Sequence, residues 1–452
     1  MTDTFPGLCA QSLSILNNVN AKLASGFDDL PSVERSALLD SLEPILASTA
    51  QELQNNYPYH HPFYLGQMMK PPHPIAQLAY TLAMSINPNN HALDGGKASS
   101  AMEKEAVQQI AAMFGWSNAL GHLCGGGTIA NLEALWVARE FTDNKPVAVS
   151  SQAHYTHSRC CSLLDIECRI IECEANGRMD IASLQRQLDA EEIGTVVVTL
   201  GTTALGAIDP LEEVLELQKS YGFRIHIDSA YGGYFKLAQN LSEYATRQYE
   251  LMHHADSIVI DPHKHGLQPY GCGCVLFNDP QSAKVFKHDS PYTYFSSDDL
   301  HLGEISLECS RAGAAAVALW STLQLFPLEV ESEFAKRLES SISAAKKLHD
   351  WLEESSYYQP VMVPELDIVV WTAHAESASK ASQNARDIFN AAAKQNLHLA
   401  LVTLPRHLVE GSSTIKNWDQ PEVTCLRACV MKPEHLEWMP RILEKLNQAT
   451  EA

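Results

Sequence analysis

Between residues 147 and 277 short runs of aliphatic and β-branched residues alternate with amphipathic stretches, and that alternation restricts the possible folds severely. Residues 147–150, 168–173, 195–200 and 223–227 read as strands, joined by helices near 157–164, 181–188 and 211–221. The strands lack the polar alternation of a half-solvated sheet, so the expected architecture is α/β, a mostly parallel sheet covered by helices on both faces. Ligands of such sheets lie beyond the carboxyl ends of the strands. Those ends here are 151–154 (SQAH), the triplet Gly201, Thr202 and Thr203, 228–231 (DSAY) and 261–264 (DPHK). The last belongs to a strand, loop and returning strand over 257–277, with Gly266, Pro269 and Gly271 turning the chain. A lysine held between two buried strands is costly to keep as an unpaired charge, and a desolvated lysine becomes a usable amine nucleophile.

The 452 residues give room for a large unit and a smaller one. The expected division is an N-terminal helical arm (1–60), a large domain (61–325) that holds the sheet and its strand-end groups, and a small C-terminal α/β domain (326–452). Within the arm a break is expected at residues 28–31, with Ser32 capping the second helix. Helices are also predicted at 75–86 and at 101–114, the latter introduced by Ser99 and Ser100 with Glu103 spaced for a capping box. Residues 57–74, rich in proline, histidine and aromatics, read as a loop in which His61 and Tyr64 either line a substrate pocket or fold the loop itself. Residues 288–305 read as a second polar loop bearing Tyr292 and Tyr294. The C-terminal part reads as helices at 331–353, 379–395 and 433–446 with antiparallel strands near 360–363, 368–372, 397–403 and 423–430.

A net charge of −22 argues against nucleic acid or an anionic membrane as partner. No apolar run is long enough to span a bilayer and the first residues lack a basic segment, so a cytoplasmic protein is expected. The 11 cysteines are odd in number and scattered, and the 19 histidines show no metal-site spacing, so neither disulfides nor a metal is expected.

The strand ends then ask for one explanation. Gly125, Gly126 and Gly127 followed by Thr128 run into a good helix, the arrangement in which backbone N–H groups and the helix dipole receive a phosphate. That cradle, the imidazole of His154, the carboxylate of Asp228 and the amine of Lys264 are the parts that hold pyridoxal 5′-phosphate. The lysine bonds to the cofactor, the carboxylate keeps the pyridine nitrogen protonated, and the imidazole lies on the ring.

The chain resembles the pyridoxal-phosphate-dependent group II amino-acid decarboxylases of fold type I, especially their short prokaryotic members. The resemblance rests on HPFYLG (61–66), GGGTIANLEALWVAR (125–139), SSQAHYT (150–156), GTTALGAIDP (201–210), HIDSAYGG (226–233), DPHKHG (261–266) and ECSRAGAAAVALW (308–320), in the family's order. It implies Lys264 as the cofactor-bearing lysine, Asp228 at the pyridine nitrogen, His154 on the ring, Ala230 beneath it, and His263 with Gly126, Gly127 and Thr128 at the phosphate. Thr202 joins the implied cofactor contacts. For catalysis it implies proton donation by His154, Tyr292 or Tyr294; Arg311 is a candidate charge contact at the site or a structural ion-pair residue. Two departures are visible: Ile129 stands where many relatives carry an acidic residue, and the loop after the lysine is shorter than in animal aromatic decarboxylases. The implied activity is decarboxylation of an aromatic L-amino acid such as tyrosine, or of aspartate or glutamate, by a homodimer with its site at the subunit interface. The rivals are a carbon–carbon lyase of the same fold and a catalytically silent relative.

Overall fold

A computed structural model describes residues 5–27, 42–287 and 300–451. The chain opens on α1 (Phe5–Ala24) and α2 (Leu42–Leu53), followed by α3 (Pro74–Met84) and α4 (Leu93–Met113). The predicted break at 28–31 and its cap at Ser32 lie outside the described residues. No residue of α2 is buried; Ile45, Leu46 and Leu53 stand exposed, as do Leu13 and Leu23 of α1. Helix α4 differs from expectation. It starts at Leu93, kinks at Gly96, and carries Ser99, Ser100 and Glu103 on its buried face. Glu103 makes no capping box because tertiary partners claim its carboxylate: the Leu123 N–H at 2.9 Å, the Asn90 amide at 2.5 Å and the Arg311 guanidinium at 2.6 Å.

The large sheet is built from β1 (Leu120–Cys124), β2 (Val147–Ser150), β3 (Cys168–Ile171), β4 (Thr195–Thr199), β5 (Arg224–Asp228), β6 (Ser257–Ile260) and β7 (Gly273–Phe277), in the order β1-β7-β6-β5-β4-β2-β3. Strands β3, β2, β4, β5 and β6 pair in parallel, and β7 runs antiparallel to both β6 and β1. The first of these strands is absent from the sequence reading: it is short, and Gly121 and His122 obscure the apolar pattern. A Cβ at Gly121 would meet Leu276 Cδ2 at 2.6 Å, so the glycine lets β1 lie close on β7. Between the strands run α5 (Gly127–Phe141), α6 (Thr156–Leu163), α7 (Ile181–Ala190), α8 (Leu211–Tyr221) and α9 (Glu243–Glu250). Every residue of β4 and β6 is buried, as continuous apolar strands between two helical layers require. Each of Val196, Val197 and Val198 contributes roughly 1.5–3 kcal/mol through that burial.

After α10 (Ala283–Phe286) and α11 (Gly313–Leu325), the chain builds a second layer from α12 (Glu333–Glu353), β8 (Tyr358–Pro360), β9 (Ile368–Ala373), α13 (Ala378–Lys394), β10 (Ala400–Pro405), β11 (Glu422–Cys429) and α14 (His435–Thr450). Its four strands are antiparallel, in the order β10-β11-β9-β8. The strand expected at 360–363 instead ends at Pro360. Ser332 and Ser377 cap α12 and α13, each accepting a backbone N–H of the first turn, which stabilises a helix by about 1 kcal/mol.

Candidate active site

A cavity of about 460 Å³ opens beyond the carboxyl ends of β4, β5 and β6. Gly126, Gly127, Thr128, His154, Asp228, Ala230, His263 and Lys264 line it, so the residues singled out from separate strand ends meet in one place. Parallel strands deliver their ends to one edge of the sheet, and the loops there carry the reactive groups.

The glycine turn forms the wall at the N-terminus of α5. Gly126 has φ +149°, a backbone conformation that favours glycine, and a Cβ there would lie 3.2 Å from His263 Cε1. A Cβ on Gly127 would lie 2.9 Å from Asp261 Oδ2. Side chains at either position would fill the space in which helix N–H groups receive an anion. The Gly125 N–H donates to Glu308 Oε2 at 2.8 Å, a contact not anticipated from the sequence. His263 donates from Nδ1 to Cys272 O at 2.8 Å, and its ring stands 4.7 Å from that of Tyr270. Burial and Lys264 hold its pKa below the ordinary value despite Asp261 nearby.

Asp228 is buried and tightly partnered. His157 Nε2 donates to Oδ2 at 2.8 Å, the Asn131 amide donates to the same oxygen at 3.3 Å, and the Ala230 N–H donates to Oδ1 at 3.1 Å. Burial pushes this carboxyl upward, but His157, Lys264 and the Ala230 N–H outweigh it and hold the pKa well below the usual carboxylate range. The chain of contacts continues inward. His226 donates from Nε2 to Asn131 Oδ1 at 2.8 Å and faces Ser257 Oγ at 2.8 Å through Nδ1. Burial lowers the His226 pKa to about 3, so its ring is neutral and fixes the Asn131 amide with its N–H₂ toward Asp228. His157, Asn131 and His226 escaped the sequence reading. The available signal was the spacing of His157 three residues after His154, at the start of a helix leading away from the cavity.

His154 takes the Thr156 N–H at 3.2 Å and the Thr156 hydroxyl at 2.5 Å on Nδ1, which leaves Nε2 to carry the proton. Burial, helped by Lys264 and His157 and opposed by Asp228, lowers its pKa, so the neutral ring prevails near pH 7. Tyr155 packs 4.3 Å from it, with the Arg159 guanidinium 4.4 Å above the tyrosine ring. Lys264 Nζ lies 3.1 Å from Asp261 Oδ2, which holds the amine over the cavity.

Other expected residues fall elsewhere. Thr202 is fully buried behind the wall, its hydroxyl accepting the Ala207 N–H at 3.0 Å, while Thr199, Gly201 and Thr203 face the cavity. The reason is geometric: Gly201 turns the chain with φ +99°, so Thr202 points into the protein. Arg311 also lies outside the lining, in a buried ion pair with Glu103 at 2.6 Å and a bond to Leu123 O at 2.5 Å. It braces the end of β1, just ahead of the glycine turn. His61 packs edge-on against Trp438 at 5.1 Å, and Tyr64 is buried beside Lys432, which donates to Tyr64 O at 2.6 Å. Both join residues 61–64 to the C-terminal layer rather than to this cavity. Tyr292 and Tyr294 lie outside the described residues.

The lining fits pyridoxal 5′-phosphate. The glycine turn suits the phosphate, the ionised Asp228 suits a protonated ring nitrogen, and Lys264 offers the amine. The Thr199 hydroxyl, buried at the wall, has no hydrogen-bond partner among the described residues.

Residues 34–373 match the family described as the pyridoxal-dependent decarboxylase conserved domain. The chain is 31% identical over 311 residues to a probable L-tyrosine/L-aspartate decarboxylase of Methanothermobacter thermautotrophicus, covering 68% of this chain and 82% of that protein. It is 28% identical to an L-tyrosine decarboxylase of Enterococcus faecium, covering 74% and 72% of the two chains. Among solved structures, mouse CSAD superposes with a TM-score of 0.78 at 20% identity, over 95% of this chain and 91% of that one. The fold is that of fold type I enzymes, and the chain belongs to the pyridoxal-dependent decarboxylases, carboxy-lyases that remove CO₂ from amino acids with pyridoxal 5′-phosphate.

Proposed function

We propose that this cavity decarboxylates an aromatic L-amino acid such as tyrosine, or an acidic one such as aspartate or glutamate, giving the amine and CO₂. The observation that carries the reading is the convergence of Lys264, Asp228, His154 and the glycine turn on one cavity. The names of the relatives, which include both tyrosine and aspartate, support the two substrate classes. Bound pyridoxal 5′-phosphate supplies a carbonyl that takes up the substrate amine and a protonated ring that accepts the electron pair left when CO₂ departs.

The chain's own residues do the rest. Lys264 would hold the cofactor through its amine, which Asp261 keeps over the cavity. Asp228, kept ionised by His157, Lys264 and the Ala230 N–H, would hold the proton on the ring nitrogen. Gly126, Gly127, Thr128 and His263 would hold the phosphate end, and Ala230 would pack against the ring. His154, whose Nε2 carries a proton, or Tyr292 or Tyr294, returns the proton to the carbon that lost CO₂.

We further propose a cytoplasmic homodimer with the site at its interface, supported by the exposed apolar side chains of α1 and α2. Among the described residues no helix is long and apolar enough to cross a membrane. The test is CO₂ release from each standard L-amino acid, with the amine identified by mass, by protein whose light-scattering mass equals two chains. Release from aromatic or acidic substrates is expected; release from neither class, or a one-chain mass with full activity, would contradict the reading.

A further inference from the structure

The C-terminal layer sends two charged side chains into the wall of the cavity. Arg427 of β11 donates to Thr203 O at 2.8 Å and to Ala204 O at 3.2 Å, which fixes the turn after β4. Asp367, just ahead of β9 and fully buried, accepts the Tyr231 hydroxyl on Oδ1 at 2.5 Å. Its Oδ2 lies 3.3 Å from His265 Nε2. The His265 ring stands edge-on to Tyr231 at 4.9 Å and to Phe235 at 4.7 Å.

The neighbours of these two residues give the arrangement its meaning. Tyr231 follows Ala230 and lines the cavity itself; His265 follows Lys264. A single carboxylate from another layer therefore touches the residue after the ring support and the residue after the cofactor-bearing lysine. Packing alone gives no reason for a carboxylate here. Burial pushes the Asp367 carboxyl up to about 6 even with Tyr231 and Lys70 beside it, and an apolar side chain of similar volume would fill the space without that penalty.

We infer that Asp367 is a positioning residue: through Tyr231 and His265 it holds Ala230 and Lys264 in the arrangement that receives the cofactor, so the C-terminal layer completes the site. The inference rests on the cavity's being the cofactor site. Asp367→Asn keeps an acceptor for Tyr231 and replaces the acceptor facing His265 with an amide N–H₂, which the neutral His265 can take on an unprotonated Nε2. Asp367→Leu keeps the volume and loses both. The double variant Tyr231→Phe with Asp367→Leu removes both ends of the 2.5 Å bond, an exchange that leaves folding close to neutral and retains the tyrosine-sized ring.

The test is titration of each cofactor-free protein with pyridoxal 5′-phosphate, read by visible absorbance, with apo-protein thermal midpoints and a kcat and KM comparison alongside. The Leu and double variants are expected to bind the cofactor about tenfold more weakly or worse, from the loss of one to two buried contacts, with apo midpoints no lower for the double variant. Asp367→Asn is expected to bind within about threefold of wild type. A double variant that binds like wild type would overturn the inference, as would an Asn variant as weak as the Leu one. Wild-type protein that takes up no cofactor would instead defeat the reading of the cavity on which the inference rests.

Discussion

Asp228 shows how much of the chemistry is set one residue at a time. A buried carboxylate left alone would take up a proton, and it would then fail to hold one on the cofactor ring. His157, Lys264 and the Ala230 N–H prevent this, and His157 is the closest donor, to Oδ2 at 2.8 Å. Replacing His157 by Ala strips the closest of these donors from a buried acceptor, a loss of about 1–3 kcal/mol. If that loss falls on the charged form of Asp228, kcat should drop roughly tenfold to a hundredfold with KM little changed. Steady-state kinetics on the variant checks it, and an unchanged kcat would show that Asn131 and the Ala230 N–H suffice. Lys264, Asp228 and His154 were legible in the sequence because each ends a strand of a recognisable parallel sheet. His157 was not, since its partner lies 71 positions away and only the fold brings them together. Thr202 was misplaced for a similar reason, and of the two readings open for Arg311 the structure shows the ion pair, with Glu103. A motif gives residue order, but the turn at Gly201 and the carboxylate of Glu103 decide which way those side chains point.

The glycine turn and α5 act as one element. The strand before it is short and pressed against β7 through Gly121, and the helix after it buries Ala130, Ala134 and Ala138, whose small side chains let it sit close to the sheet. The N–H groups of the first turn are thereby aimed into the cavity by packing on both sides. Gly126→Ala puts a Cβ at a φ of +149° and 3.2 Å from His263, a strain of about 1–3 kcal/mol. Cofactor affinity measured by equilibrium titration should weaken by roughly tenfold or more, while an unchanged affinity would show that the turn can shift without penalty. Helices and buried strands were readable here because periodicity and β-branched runs report burial directly. The start of α4 was not, because Ser99, Ser100 and Glu103 look like a local cap and serve instead in a cluster with Asn90 and Arg311. Such clusters leave no periodic trace.

At the scale of the whole molecule, buried titratable groups tie stability to pH. His226 has its pKa lowered to about 3 by burial, against about 6.5 when unfolded. The unfolded chain therefore binds a proton that the folded one refuses, and the stability this group contributes is present above pH 6.5 and lost as pH falls toward 3. Denaturant unfolding of His226→Gln should show a pH slope shallower than wild type by up to about 1.4 kcal/mol per pH unit between pH 6 and pH 4. Parallel slopes would mean that the histidine is protonated in the folded chain. The proposed carrier of the cofactor is Lys264, of the loop between β6 and β7. Reduction of the cofactor-loaded protein with borohydride, followed by peptide mass mapping, tests that claim directly. The cofactor-derived mass is expected on the peptide containing Lys264 and absent from Lys264→Ala; the same mass on another lysine, or on none, would contradict the account.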